Sequence, residues 1–343
     1  MPVLDILKIE ETLLRIWNQG SLPDPLALTW LSIQTAAVLQ QPQAGLRPAD
    51  QSGRAGGLVL LDPTLETIII PDLHARMDFL LSVLLQTDKD QRTILEHLSA
   101  GRIQIVCVGD GMHAERRAAE RWQLAQREFI KRYRRHEHMD AEMRESLGLM
   151  QMIMELKLAC PEHFHYLKGN HDNILNENGR GNFPFMKLAL EGPMVAEYLL
   201  KFYGAAFLEH YSQVEHAFPL LAQGRNFLIS HAEPARHFKR SEILNYRDHP
   251  DVVSGLTWTR DGQAAAGSVV GMLREYIRPE FRAQALYFGG HRPVELLYKR
   301  RAGGRYIQLH NPDHFSIARL PAAGPVLLNR DIFRIPNCMQ AGS

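Results

Sequence analysis

Seven short runs place the tightest limit on the fold of this chain: Leu58-Val-Leu-Leu, Thr67-Ile-Ile-Ile, Ile103-Gln-Ile-Val-Cys-Val, Phe164-His-Tyr-Leu, Asn226-Phe-Leu-Ile, Ala285-Leu-Tyr-Phe and Arg305-Tyr-Ile-Gln-Leu. Mostly apolar runs of this length, without strict alternation, read as strands buried on both faces. Helical patterns lie between several of them, so the expected class is an α/β layered domain.

The runs begin only at Leu58. Before them, residues 3–40 read as helices, with Leu4, Leu7, Leu13, Leu14 and Trp17 spaced for one apolar face and Gly20-Ser-Leu-Pro as a break. Residues 41–57 collect Pro, Gly, Gln and Ser without periodicity, as a linker does. The expected organisation is an N-terminal helical segment and linker over 1–56, a main domain over 57–325 and a tail over 326–343. The N-terminal helices should pack on the main domain, because their apolar face would otherwise meet water. Within that domain, Met139, Met143, Leu147, Met150, Met154 and Leu158 repeat at helical spacing. Trp122, Phe129 and Tyr133 mark a helix before them, so 114–159 reads as an inserted helical hairpin whose methionine stripe serves packing. The basic cluster Lys131-Arg-Tyr-Arg-Arg135 is nearly balanced by acids and reads as a solvated face.

Composition removes several functions. Lys plus Arg number 39 against 38 Asp plus Glu, a formal net charge of +1, so no global field recruits nucleic acid or an anionic membrane. Cys107, Cys160 and Cys338 are too few and scattered for a disulfide framework or a thiolate zinc site. No apolar run approaches the roughly 18 residues needed to cross a bilayer, and Asp5, Glu10 and Glu11 interrupt any export-like start. A cytoplasmic location is expected.

Five of the runs end in polar clusters. Asp72-Leu73-His74 places a carboxylate and an imidazole two residues apart, on one side of an extended chain. Gly109-Asp110 puts a carboxylate behind a residue that permits a tight exit from the strand. Gly169-Asn170-His171-Asp172 offers an amide oxygen and a proton donor. His231 and His291 close two later runs. Taken singly, each cluster reads equally as a strand-end turn, an Asx turn or a helix cap. Their order, and donors limited to oxygen and imidazole, point instead to a site for Mn²⁺, Fe or Zn²⁺.

In these motifs the chain resembles the calcineurin-like metallophosphoesterase superfamily, in its protein phosphatase and dinucleoside polyphosphate hydrolase branch, over about 57–320. The resemblance implies a four-layer α/β fold, two sheets packed together and flanked by helices. It also implies two divalent ions, one held by Asp72 and His74, the other by Asn170, His231 and His291, with Asp110 between them. Such ions would activate a bridging water for in-line attack on phosphorus, while His171 protonates the leaving alkoxide. Arg260, in Trp258-Thr-Arg260, is the first candidate to hold phosphate oxygens, with Arg76 and Arg292 behind it. The expected substrate is a phosphorylated small molecule or phosphoprotein, or a dinucleotide-like pyrophosphate. The absence of a histidine two residues after His291 disfavours a nuclease.

The second motif departs from the family. His113-Ala114-Glu115 stands where the branch has Asp-Arg-Gly, so the acid that orients the motif histidine and a phosphate-binding arginine are replaced. His113 then reads as a phosphate donor, an extra ligand or a helix-start residue, and His171 depends on Asp172, on another carboxylate or on nothing. Ala75 replaces a usual glycine, and His310-Asn311 replaces an Asp-Thr-Gly-like turn. The rival expectation is therefore a metal-binding scaffold with weak or no catalysis.

Overall fold

The computed structural model describes residues 6–339; Leu4 of the expected N-terminal stripe and residues 340–343 lie outside them. Two sheets form the centre. One has five strands in the order β11 (Ile332–Arg334), β10 (Ser316–Leu320), β2 (Glu66–Ile70), β3 (Ile103–Cys107) and β4 (Phe164–Tyr166). The other has six, ordered β1 (Leu58–Leu60), β5 (Leu221–Gln223), β6 (Phe227–Ile229), β7 (Leu286–Gly289), β9 (Tyr306–Gln308) and β8 (Lys299–Arg301). All seven expected runs contain strands. β5, β8, β10 and β11 are additions, and β11 draws into the sheet a segment that the sequence set apart as a tail beyond residue 325.

Residue alternation along the strands builds the layers. Ile69 and Val106 point into an apolar layer shared with Ile229, Phe288 and Ile307 of the opposite sheet. Their neighbours Ile68, Ile70, Ile105 and Cys107 point the other way, onto helices. Both faces of β2 and β3 are buried, which is why their sequences are apolar without a break.

The helices on the five-stranded side are α1 (Ile6–Asn18), α2 (Pro25–Gln40), α3 (Met77–Leu84), α4 (Ile94–Ser99), α5 (Ala119–Ile130), α6 (Glu137–Ala159), α7 (Glu191–Phe202) and α8 (Ala205–Ala217). Over the six-stranded sheet lie α9 (Arg240–Leu244), α10 (Pro250–Thr257) and α11 (Ser268–Tyr276), while α12 (Leu328–Asp331) leads into β11. The result is the expected four-layer arrangement. α5 and α6 lie between β3 and β4 and pack on each other, and Met139, Met143, Leu147, Met150 and Met154 are all buried in the core. α1 and α2 pack on α6, and α2 also packs on α8, so the N-terminal helices extend this core.

β2, β3 and β4 run parallel in one sheet, and β6, β7 and β9 run parallel in the other. Each strand end is followed directly by a polar cluster: Asp72, Asp110, Asn170, His231, His291 and His310. The chain thus exits six parallel strands into one polar region, with three exits from each sheet.

Candidate metal centre

The loops after these strands adopt backbone conformations that most side chains avoid. His74, Ala75, Asp110, His113 and His291 all have φ between 44° and 66°. Non-glycine residues in this region cost on the order of 1 to 3 kcal/mol each and persist where surrounding packing fixes them. Two glycines are required by close approach: a Cβ on Gly290 would overlap the Asp72 carboxylate, and one on Gly169 would overlap that of Asp110.

Three donors meet tightly. Asn170 Oδ1 lies 2.9 Å from both His231 Nε2 and His291 Nδ1, and these two nitrogens are 3.2 Å apart. Asp110 Oδ2 is 3.4 Å from His231 Nε2. His231 donates its Nδ1–H to the Val108 carbonyl at 3.0 Å, which leaves the lone pair of Nε2 turned toward the other donors. Asp110, His231 and His291 form one possible metal-holding group.

A second collection lies across Asp110. His74 donates Nδ1–H to the His113 carbonyl at 3.0 Å, so its Nε2 faces Asp110 Oδ2 at 3.7 Å and Glu115 Oε1 at 3.5 Å. Asp72 Oδ2 accepts the His291 backbone N–H at 2.8 Å, while Oδ1, though buried, has no partner. Asp72, His74 and His310 form another possible group, and His74, Asp110 and His171 a third.

Burial sets the charge states. Desolvation lowers the proton affinity of His74 to about 4 and that of His113, which also faces His74, to about 3. It lowers that of His171, His231 and His291 as well, so these rings are neutral near pH 7, the form in which imidazole binds metals. Asp110 is pushed well above the usual carboxylate range, first by burial and then by Asp72 and Asp172. Neutral imidazoles, crowded carboxylates and an unpartnered carboxylate oxygen call for cations, so these residues fit the divalent metals expected from the sequence.

The remaining expected residues divide. His171 is in the cluster, with Nε2 3.8 Å from Asp110 Oδ2. Its Nδ1 lies 3.1 Å from His113 Nδ1, which places His113 at the site through a ring-to-ring hydrogen bond. Asp172 makes no hydrogen bond to the His171 ring. It accepts from Gly169 N–H at 2.7 Å, Asp110 N–H at 3.3 Å and the Tyr166 hydroxyl at 2.9 Å, and so clamps two loops together. Arg76 is buried and spent on the carbonyls of Asp72, Leu73, Asn311 and Pro312. Arg260 is exposed, and only its backbone is hydrogen-bonded among the described residues, its N–H to Gln263 Oε1 at 3.1 Å and its carbonyl accepting the Gln263 N–H at 3.0 Å. Arg292 is also exposed beside His291.

Other residues enter that the sequence reading did not place. Glu115 accepts from His310 Nε2 at 2.9 Å and Lys187 Nζ at 3.1 Å. Burial opposes its ionisation, yet His74, His310 and Lys187 together hold the carboxyl below its usual range. Phe185 covers His171, ring centroids 3.5 Å apart, and stacks on His113 at 5.5 Å. A cavity of about 200 Å³ opens beside His74, lined also by Glu115, Arg116 and Arg117. His310 carried the same signal as the other ligand candidates, an imidazole directly after a strand, whereas Glu115 and Phe185 carried none.

The structure is similar to a protein serine/threonine phosphatase from Saccharomyces cerevisiae with similarity to human phosphatase PP5, at a TM-score of 0.61 and 12% identity over 95% of each chain. It also matches a cold-active protein-tyrosine phosphatase of a psychrophilic Shewanella species, at a TM-score of 0.46 and 13% identity over 83% of this chain and 79% of that one. No protein-family model and no curated protein sequence matches the chain. The chain shares the fold of the yeast phosphatase, two sheets flanked by helices. Among the described residues, no helix is long and apolar enough to cross a membrane.

Proposed function

We propose that the chain is a metal-dependent phosphoesterase that hydrolyses phosphate monoesters of a small molecule or protein at a two-cation centre. The observation that carries this reading is the convergence of Asn170 Oδ1, His231 Nε2 and His291 Nδ1 within 3.2 Å of one another. Two of these atoms are acceptors in the tautomers the structure fixes, a crowding that a cation relieves.

In this reading Asp72 and His74 would hold one cation, Asn170, His231 and His291 would hold the other, and Asp110 would serve both. Bound cations supply charge neutralisation at phosphate oxygens and an activated water. His171 Nε2 faces the same space and, in its protonated form, is positioned to give a proton to the leaving oxygen, with Phe185 packed over its ring. Arg116 and Arg117 take the phosphate-binding role expected of Arg260. They line the cavity beside His74, and the second motif has lost its own arginine at Ala114.

The test is turnover of an aryl phosphate monoester and a matched diester by Mn²⁺-loaded protein, with metal content measured alongside. Monoester turnover that falls at least about 100-fold in Asp110→Asn supports the reading. Metal at the site with no turnover of any phosphate ester favours a scaffold, a reading supported by the imidazole of His113 where the family has a carboxylate. Protein that takes up no divalent metal sinks both.

A further inference from the structure

We infer that His310 is a ligand of the cation held by Asp72 and His74, and that Glu115 fixes the orientation in which it binds. This rests on the metallophosphoesterase reading and adds a donor that the motifs did not assign.

His310 is fully buried at the end of β9. Its Nε2 lies 2.9 Å from Glu115 Oε2. A carboxylate can only accept, so the ring proton sits on Nε2 and the lone pair on Nδ1. That Nδ1 is buried and has no hydrogen-bond partner. It lies 3.9 Å from Asp72 Oδ2, and the His310 and His74 rings are 5.3 Å apart. Two donors each about 2.1 Å from one cation stand roughly 3 to 4 Å apart, so this spacing suits a shared ion. A carboxylate that accepts from the far nitrogen of a metal-binding imidazole is a recurrent arrangement, which fixes the tautomer and raises ligand basicity.

β9 lies next to β7 in the sheet, so the end of the adjacent parallel strand delivers an imidazole beside Asp72 and His74. Glu115 completes the pair from the hairpin side, with Lys187 3.1 Å from its other oxygen.

Co²⁺ titration of metal-stripped protein, followed by visible absorption and by metal content, tests the assignment without recourse to activity. The variants are His310→Gln, whose amide can still donate to Glu115 but has no Nδ1, and Glu115→Gln. Wild type should take two ions per chain. His310→Gln should keep one at wild-type affinity and weaken the other at least tenfold, and Glu115→Gln should weaken that same ion by about tenfold. Two ions bound by His310→Gln at wild-type affinity would overturn the assignment and leave the proposed function standing. A wild type that binds no ion would remove both. Should His310→Gln not fold, unchanged affinities in Glu115→Gln overturn the inference.

Discussion

His113 Nδ1 stands 3.1 Å from His171 Nδ1, so the proton donor proposed for this site is held by another imidazole. One ring supplies the N–H and the other the lone pair, and neither brings the negative charge that would favour a protonated His171. Burial and the neighbouring His74 and His113 lower its proton affinity further.

Replacing His113 by Asp should therefore raise turnover. Asp tolerates the left-handed backbone that His113 adopts at φ 66°. The gain should be about tenfold or more on alkyl phosphates, whose leaving groups need a proton, and small on aryl phosphates, whose leaving groups do not. Equal effects on both substrate types would refute the role assigned to His171.

Metal removal should cost stability as well as activity. Asp72, Asp110, His231 and His310 are essentially without solvent, and they crowd carboxylates and lone pairs together. Excess chelator should lower the melting temperature, and Mn²⁺ should restore it in a concentration-dependent way, by about 2.7 kcal/mol at a hundred times the dissociation constant. A melting curve indifferent to chelator and Mn²⁺ would contradict this.

The hairpin anchors the second motif through the buried carboxylate of Glu142, whose cation, Arg121, also pairs with Glu145. Glu142, fully buried, accepts from Arg121 Nε at 2.9 Å, from the Ala114 N–H at 2.8 Å and from Ser146 Oγ at 3.3 Å. Ser146 Oγ in turn accepts the His113 N–H at 3.2 Å. Arg121→Met leaves the carboxylate buried without its cation and should cost about 3 kcal/mol in denaturant unfolding. Glu142→Gln in the same background should recover part of that loss.

Glu215 gives the fold a pH dependence of its own. Burial pushes its carboxyl up to about 8, with Lys168 opposing the shift, and one of its oxygens accepts the Ile174 N–H at 2.7 Å. In the unfolded chain it titrates near 4.5. The protonated group thus contributes stability that is complete below about pH 4.5 and is lost as the pH rises through about 8. Glu215→Gln cannot ionise and keeps the acceptor. Its melting temperature relative to wild type should climb by a few degrees between pH 5 and 8.5, and a constant difference would refute the shift.

Much of the fold was readable because β2 and β3 are buried on both faces, so their apolar runs stand out without reference to partners. β8 (Lys-Arg-Arg) could not be seen in this way: its residues are largely exposed at a sheet edge, and pairing with β9 alone makes it a strand. β11 likewise depends on β10. At the site, motif order brought forward residues that directly end strands, and the structure gathers them. It could not show that Asp172 turns to the backbone of Gly169 and Asp110, or that Arg76 is consumed by carbonyls. Those outcomes depend on which groups lie across the loops in space. Phe185 reaches the histidines only through tertiary packing, from a position with no periodic or motif context, and Glu115, at the last place of the second motif, meets His74 and His310 only across space.

Three donor-bearing strand ends come from each sheet, and between the sheets lies only the layer of side chains such as Val106, Ile229 and Phe288. The thickness of that layer fixes how far His231, His291 and His310 stand from Asp72, Asp110 and Asn170. Coordination lengths are sensitive to a few tenths of an ångström, whereas one added or deleted methyl group shifts packed elements by a comparable amount. An apolar exchange in the middle of the sandwich, touching no polar atom, is thus a means of retuning which ion the protein prefers.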